Sequence, residues 1–175
     1  MPGLPGVRTR EEAELTSRQI ELAVSRYFNH RQNLIVPNVS WGLPDLGHEC
    51  DMLVIRPSGY AVEVEIKVSR GDIVKDKEKL HEHRSQLLRQ LWFAVPERLL
   101  ICESLIPERA GILVAYDKLH TTYMRLHRPA KINATARALT KAQIAKVAHL
   151  GCMRIWTLKQ KLEHYREWLN RKQSP

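Results

Sequence analysis

The stretch ECDMLVIRPSGYAVEVEIKVSRGD, residues 49–72, decides the fold. ECDMLVI, 49–55, reads as a strand that ends in the turn sequence RPSG. YAVEVEIKV, 60–68, alternates: Val62, Val64, Ile66 and Val68 point to one side, and Glu63, Glu65 and Lys67 to the other. The short connection predicts an antiparallel hairpin. Glu65 and Lys67 lie two apart and so share a face. Asp51, at the start of the partner strand, is brought beside Glu65 by the same hairpin.

Working outward, residues 1–9 hold two Pro and two Gly and read as a flexible tail. From Arg10 to Asn29, Ala13, Ile20, Ala23, Val24, Tyr27 and Phe28 keep helical spacing. NLIVPNVSW, 33–41, is a strand candidate that Pro37 confines to an edge or a bulge. Downstream of the hairpin, SRGD, 69–72, leads into a charged helix from Ile73 to Leu87. A strand follows at Leu91–Val95, then a short helix begun by Pro96, a buried strand at 110–115 and a last strand near Tyr123–Leu126. This order predicts an α/β protein with a mixed sheet flanked by helices. Two helices, 134–149 and 152–171, are expected beyond it, joined near Gly151. The organisation is thus a tail (1–9), a core (10–127) and a basic helical extension (128–175).

Charge separates the core from the extension. Residues 1–117 carry 15 Lys/Arg against 17 Asp/Glu, whereas residues 118–175 carry 13 against 2. A near-neutral body with a cationic end fits a polyanionic partner. No run of eighteen apolar residues is present, so no membrane partner is expected, and the N-terminus lacks the apolar core of a signal peptide. Cys50, Cys102 and Cys152 are odd in number, far apart and without zinc spacing. They read as reduced thiols in a cytoplasmic protein.

Two carboxylates on neighbouring strands, Asp51 and Glu65, make the oxygen-rich site that Mg²⁺ or Mn²⁺ prefers, with the Ile66 carbonyl as a further ligand. Such a metal activates a water and polarises a phosphoryl oxygen. Lys67, beside two carboxylates, is expected to stay cationic and to offset charge rather than act as a base. No organic cofactor is implied.

Asp51, thirteen residues, then Glu65-Ile66-Lys67 resembles the PD-(D/E)XK nuclease superfamily, with Cys50 where the name places Pro. EVEIKVSRGDIVKDK, QLWFAVPERL and AGILVAYD are closer still to the MmcB-type group associated with DNA repair and to its phage-borne relatives. The resemblance covers about residues 10–117. It implies a restriction-endonuclease-like core, catalytic roles for Asp51, Glu65 and Lys67, and DNA cleavage in repair, recombination or phage DNA processing. It also implies a supporting role for Ser69 and Asp72 at a helix entrance, and a fourth acidic member on the first helix, Glu21 with Glu14 as fallback. The QxxxY motif of RecB-like exonucleases is absent. A non-catalytic DNA-binding or repair-assembly factor on the same fold stays open, as does RNA as substrate.

Other residues read more plainly. Glu63 is expected to be structural or at the rim, Glu49 to sit behind Asp51, and Asp76 to be a solvated charge. His48 is expected at the surface, and His81 and His83 do not pair on a helix face. Trp92 and Phe93 read as core. Arg154, Lys159, Lys161, Arg166 and Arg171 are candidate phosphate contacts, interleaved with Trp156 and Trp168, which either stack on bases or dock the helix. LTKAQIAKVAHLGCMRIWTLKQKL has a faint helix-turn-helix look, with two packed helices as the plainer reading. Cutting a palindrome or a junction would require a homodimer.

Overall fold

The computed structural model describes residues 14–40, 43, 46, 48–77 and 85–173. Helix α1, Ser17–Tyr27, starts at a reciprocal cap in which Thr16 and Gln19 exchange bonds, and it closes before Asn29 turns to φ 52°. Residues 14–16 are not helical, and the expected residues 10–13 lie outside the described part. Six strands follow in sheet order: β1 (Leu34–Val39), β2 (Cys50–Ile55), β3 (Ala61–Ile66), β4 (Leu88–Pro96), β5 (Gly111–Lys118) and β6 (Thr121–Arg128). β1, β2 and β3 form an antiparallel meander, β4 and β5 run parallel to β3, and β6 returns antiparallel. The parallel steps need crossovers. Helix α2 (Arg70–Lys77) lies on the path from β3 to β4, and the 3-10 helix Glu97–Leu105 supplies the next crossover. The mixed sheet flanked by helices is the fold class the sequence predicts.

Both faces of the sheet are covered. Under α1, Ile20, Val24 and Phe28 pack on Met52, Val54, Val62, Val64 and Trp92. On the opposite face Ile73 of α2 and Leu99 of the 3-10 helix pack on Leu91, Phe93 and Val114. Beside them, Val147 and Leu150 of helix α3 (Lys141–Gln173) pack on Val36, Leu53 and Ile55. The row Glu63, Glu65, Lys67 therefore runs between two apolar clusters, and all three side chains are buried. Alternation along a strand shows which residues share a face, not whether another layer covers that face.

Two helical expectations need correcting. α2 begins at Arg70 rather than Ile73, because Ser69 and Asp72 form a reciprocal cap: Ser69 N donates to Asp72 Oδ2 and Asp72 N to Ser69 Oγ, both at 3.1 Å. Residues 85–87 are not helical, and 78–84, with His81 and His83, lie outside the described part. The two C-terminal helices are one helix of 33 residues, so no helix-turn-helix exists there. It starts only at Lys141, where Thr140 and Gln143 exchange cap bonds. Gly151 lies inside it, and a Cβ there would come within 3.3 Å of Val36 Cγ2. The glycine serves close approach of helix to strand rather than a turn. Among the described residues no helix is long and apolar enough to cross a membrane.

Candidate functional site

The β2–β3 register pairs Met52 with Val64 and Leu53 with Glu63. One step further, it sets Asp51 across from Glu65. Two bonds fasten this end of the hairpin: Ile66 N donates to Asp51 Oδ2 at 2.8 Å, and Asp51 N to Glu65 Oε1 at 3.4 Å. Asp51 thus lies beside the peptide of residue 66 with its side chain 40% exposed, while Glu65 is sunk to 2%. One carboxylate faces outward and its neighbour anchors the floor.

Lys67 ties this floor together. Its backbone N–H donates to the Ala94 carbonyl, which keeps it extended alongside β4. Its Nζ lies 2.5 Å from Glu65 Oε2, 2.9 Å from Asp76 Oδ1 and 3.9 Å from Asp51 Oδ2. Burial disfavours the ammonium, but the Glu65 charge and the bonds to Glu65 and Asp76 outweigh it and hold Lys67 well above its ordinary range. Lys67 is thus a fixed cation. Glu65 moves upward as well: burial dominates, Asp51 and Glu63 add to it, and Lys67 opposes.

Asp76 is a correction. Instead of a solvated charge it is a buried partner of Lys67. A signal was available, since Asp76 lies three residues after buried Ile73 and so shares its helix face. His48 is a second correction: its side chain is buried, with Nε2 2.6 Å from Glu63 Oε1. That bond carries Glu63 into the interior rather than to a rim. Cys50 is buried next to this carboxylate row, and burial, with Glu63, Glu65 and Asp51, pushes its thiol far up. Buried and with its thiolate disfavoured, it packs rather than reacts.

Two further expected residues border the pair. Glu21 of α1 is half-buried. Burial raises its pKa, Asp51 raises it further, and Arg18 and Arg154 pull it down. Arg154 donates from Nη2 to the carbonyl of Asn38. Asn38 sits at φ 50°, between the paired positions Pro37↔Met52 and Val39↔Cys50, and so is level with Asp51. Among the described residues, the buried Arg154 Nε has no hydrogen-bond partner. The long helix thereby delivers one guanidinium to the neighbourhood of Asp51 and Glu21. Glu14 instead makes an exposed ion pair with Arg98 at 3.2 Å, and Glu49 is exposed. Lys159, Lys161, Arg166 and Arg171 are exposed, about one to five helical turns beyond Arg154. Trp156 and Trp168 do not dock on the core.

Among the described residues no three His, Cys, Asp or Glu side chains converge as a metal cage. The donor set is the Asp51–Glu65 pair beside the Ile66 peptide. That set fits a hard ion which takes most ligands from water and phosphate, as Mg²⁺ does, and not one needing six to eight protein oxygens.

The comparisons with known proteins agree with this architecture. No curated protein matches the chain. A solved structure of a protein of unknown function from Silicibacter pomeroyi aligns with a TM-score of 0.60 and 18% identity, over 86% of this chain and 94% of that one. It shares the fold. The model of a family described as DNA repair protein MmcB-like matches residues 7–171, reaching past the expected limit near residue 117 to include α3. With a match over nearly its whole length, the chain belongs to the MmcB-like family of DNA repair proteins.

Proposed function

We propose that the chain is a divalent-metal-dependent nuclease that hydrolyses DNA phosphodiester bonds. The observation that carries this reading is the pairing of Asp51 with Glu65 across the hairpin end, with the ammonium of Lys67 fixed between Glu65 and Asp76. A bound Mg²⁺ or Mn²⁺ would supply an activated water and polarise a phosphoryl oxygen. Asp51, Glu65 and the Ile66 carbonyl would hold it. Lys67 presents fixed positive charge toward the negative charge that develops on the attacked phosphate. Glu21, with its raised pKa, is suited to hold a proton or a water beside Asp51. Arg154 faces a non-bridging phosphate oxygen and orients the backbone. Ser69 and Asp72 fix the start of α2 and through it Asp76. Lys159, Lys161, Arg166 and Arg171 add a salt-dependent attraction for the phosphate backbone. DNA rather than RNA is favoured by the family's repair association.

One observation favours a second reading, a DNA-binding repair factor without turnover: Glu65 is buried and already bonded to Lys67. A cleavage panel separates the two. Duplex, single-stranded, flap and junction DNA, and RNA, are incubated with Mg²⁺ or Mn²⁺ and with EDTA. The nuclease reading predicts metal-dependent products from at least one DNA. Tight, salt-sensitive binding with no product from any substrate would establish the second.

A further inference from the structure

The distal part of α3 carries a feature that nuclease chemistry does not use. Ile155, Leu158, Leu162, Tyr165 and Leu169 recur at alternating spacings of three and four residues. At 3.6 residues per turn they fall within an arc of roughly 80°, the narrow seam of a coiled coil rather than the broader stripe of a helix laid on a globular core. They span roughly 22 Å of helix. The first four are between 51% and 62% exposed. Among the described residues, docking of α3 on β1 runs through Val147, Leu150 and Gly151 to Arg154. An aliphatic seam this regular, open to water, marks a binding surface.

Charge selects the occupant. Lys159 and Arg166 line one flank of the seam and Lys161 and Lys172 the other; Glu163, 3.5 Å from Arg166, lies behind the first flank, and Glu167 lies on the far side of the helix. A second copy of α3 would set cation against cation in either orientation. DNA could take the lysines but would leave the aliphatic seam in water. We infer that the distal half of α3 docks an amphipathic helix of a partner protein, apolar at its seam and acidic on both flanks. Such a helix would also neutralise cations that otherwise attract DNA. The surface thus couples partner binding to loosened contact with nucleic acid.

The test uses the full chain and a synthetic 21-residue helix with Leu at the seam and Glu on both flanks. A matched peptide with Lys on the flanks is the control. Binding is read from the fluorescence of Trp168, which borders the seam, and from anisotropy of the labelled peptide. The acidic peptide is expected to bind one-to-one at least thirtyfold tighter than the Lys peptide, and to weaken with salt. Leu158→Asp with Leu162→Asp should cut its affinity at least tenfold with helix content and Tm unchanged, since both side chains are exposed. Absent or equal binding of the two peptides overturns the inference. So does sedimentation showing a doubled mass that the double variant abolishes, which assigns the seam to a second copy. Loss of binding to anionic vesicles or to DNA in that variant, with peptide binding intact, overturns it as well.

Discussion

Replacing Lys67 with Met removes the ammonium but keeps most of the aliphatic stem. The side chain is 8% exposed, and its two close acceptors, on Glu65 and Asp76, are 2% and 3% exposed. Each lost bond is charge-assisted, about 1.5–3 kcal/mol, and water cannot easily replace it at such burial. Lys67→Met should therefore cost about 3 kcal/mol or more, out of a total that for domains of this kind is about 5–15 kcal/mol. With a urea dependence of roughly 2 kcal/mol per molar, the unfolding midpoint falls by about 1.5 M. The deficit also depends on pH. Burial already raises Glu65 against the pull of Lys67, and losing that pull raises it further. A carboxyl raised in the folded state contributes stability below its unfolded pKa, and that contribution is lost as pH climbs through the folded value. The variant should accordingly lie closer to wild type at pH 5 than at pH 8. Urea titrations followed by far-UV circular dichroism at both pH values measure this directly. A deficit under about 1 kcal/mol, or one equal at the two pH values, would refute the view of Lys67 as the cation that fastens the site floor.

Further outcomes follow from the same geometry. Arg154→Ala should slow DNA cleavage at least tenfold and leave the urea midpoint within about 0.5 M, with Arg154→Lys recovering only part; unchanged cleavage rates would remove Arg154 from the site. Because folding raises the Glu21 pKa, its contribution is fully present below the unfolded carboxyl value and lost as pH rises. Glu21→Gln should hence raise Tm at pH 7.5 with little gain near pH 4, and a lower Tm at pH 7.5 would contradict that sign. Gly111→Ala would place a Cβ 2.3 Å from Cε3 of the buried Trp92 ring, where only a shift of ring or strand can relieve the clash, and should cost about 1–3 kcal/mol in calorimetry; a neutral result would mean that the Trp92 packing is loose.

The hairpin was legible because its code is local. Alternation at 61–66 and the RPSG turn determine which residues face one another, and Asp51 then has only one neighbour to meet. The burial of Glu63, Glu65 and Lys67 was not legible, since it depends on α2 folding back over that face and on α3 arriving from distant sequence beside it. His48 was misplaced for the same reason: its partner Glu63 lies fifteen residues away, on β3. Gly151 misled because a glycine that ends a helix and one that lets a helix approach a strand look identical in one dimension. Arg154 was grouped with the other cations of α3. Only the docking of that helix on β1 separates it from Lys159 and the residues beyond.

The most direct measurement of the central claim is single-turnover cleavage of end-labelled DNA in Mn²⁺ by wild type and by Asp51→Asn. A filter-binding assay confirms that both hold the DNA, and urea unfolding that both are folded. The account predicts product from wild type, none with EDTA, and a loss of at least a hundredfold in the variant with binding retained. Equal cleavage by the two proteins, or cleavage that persists in EDTA, would contradict it.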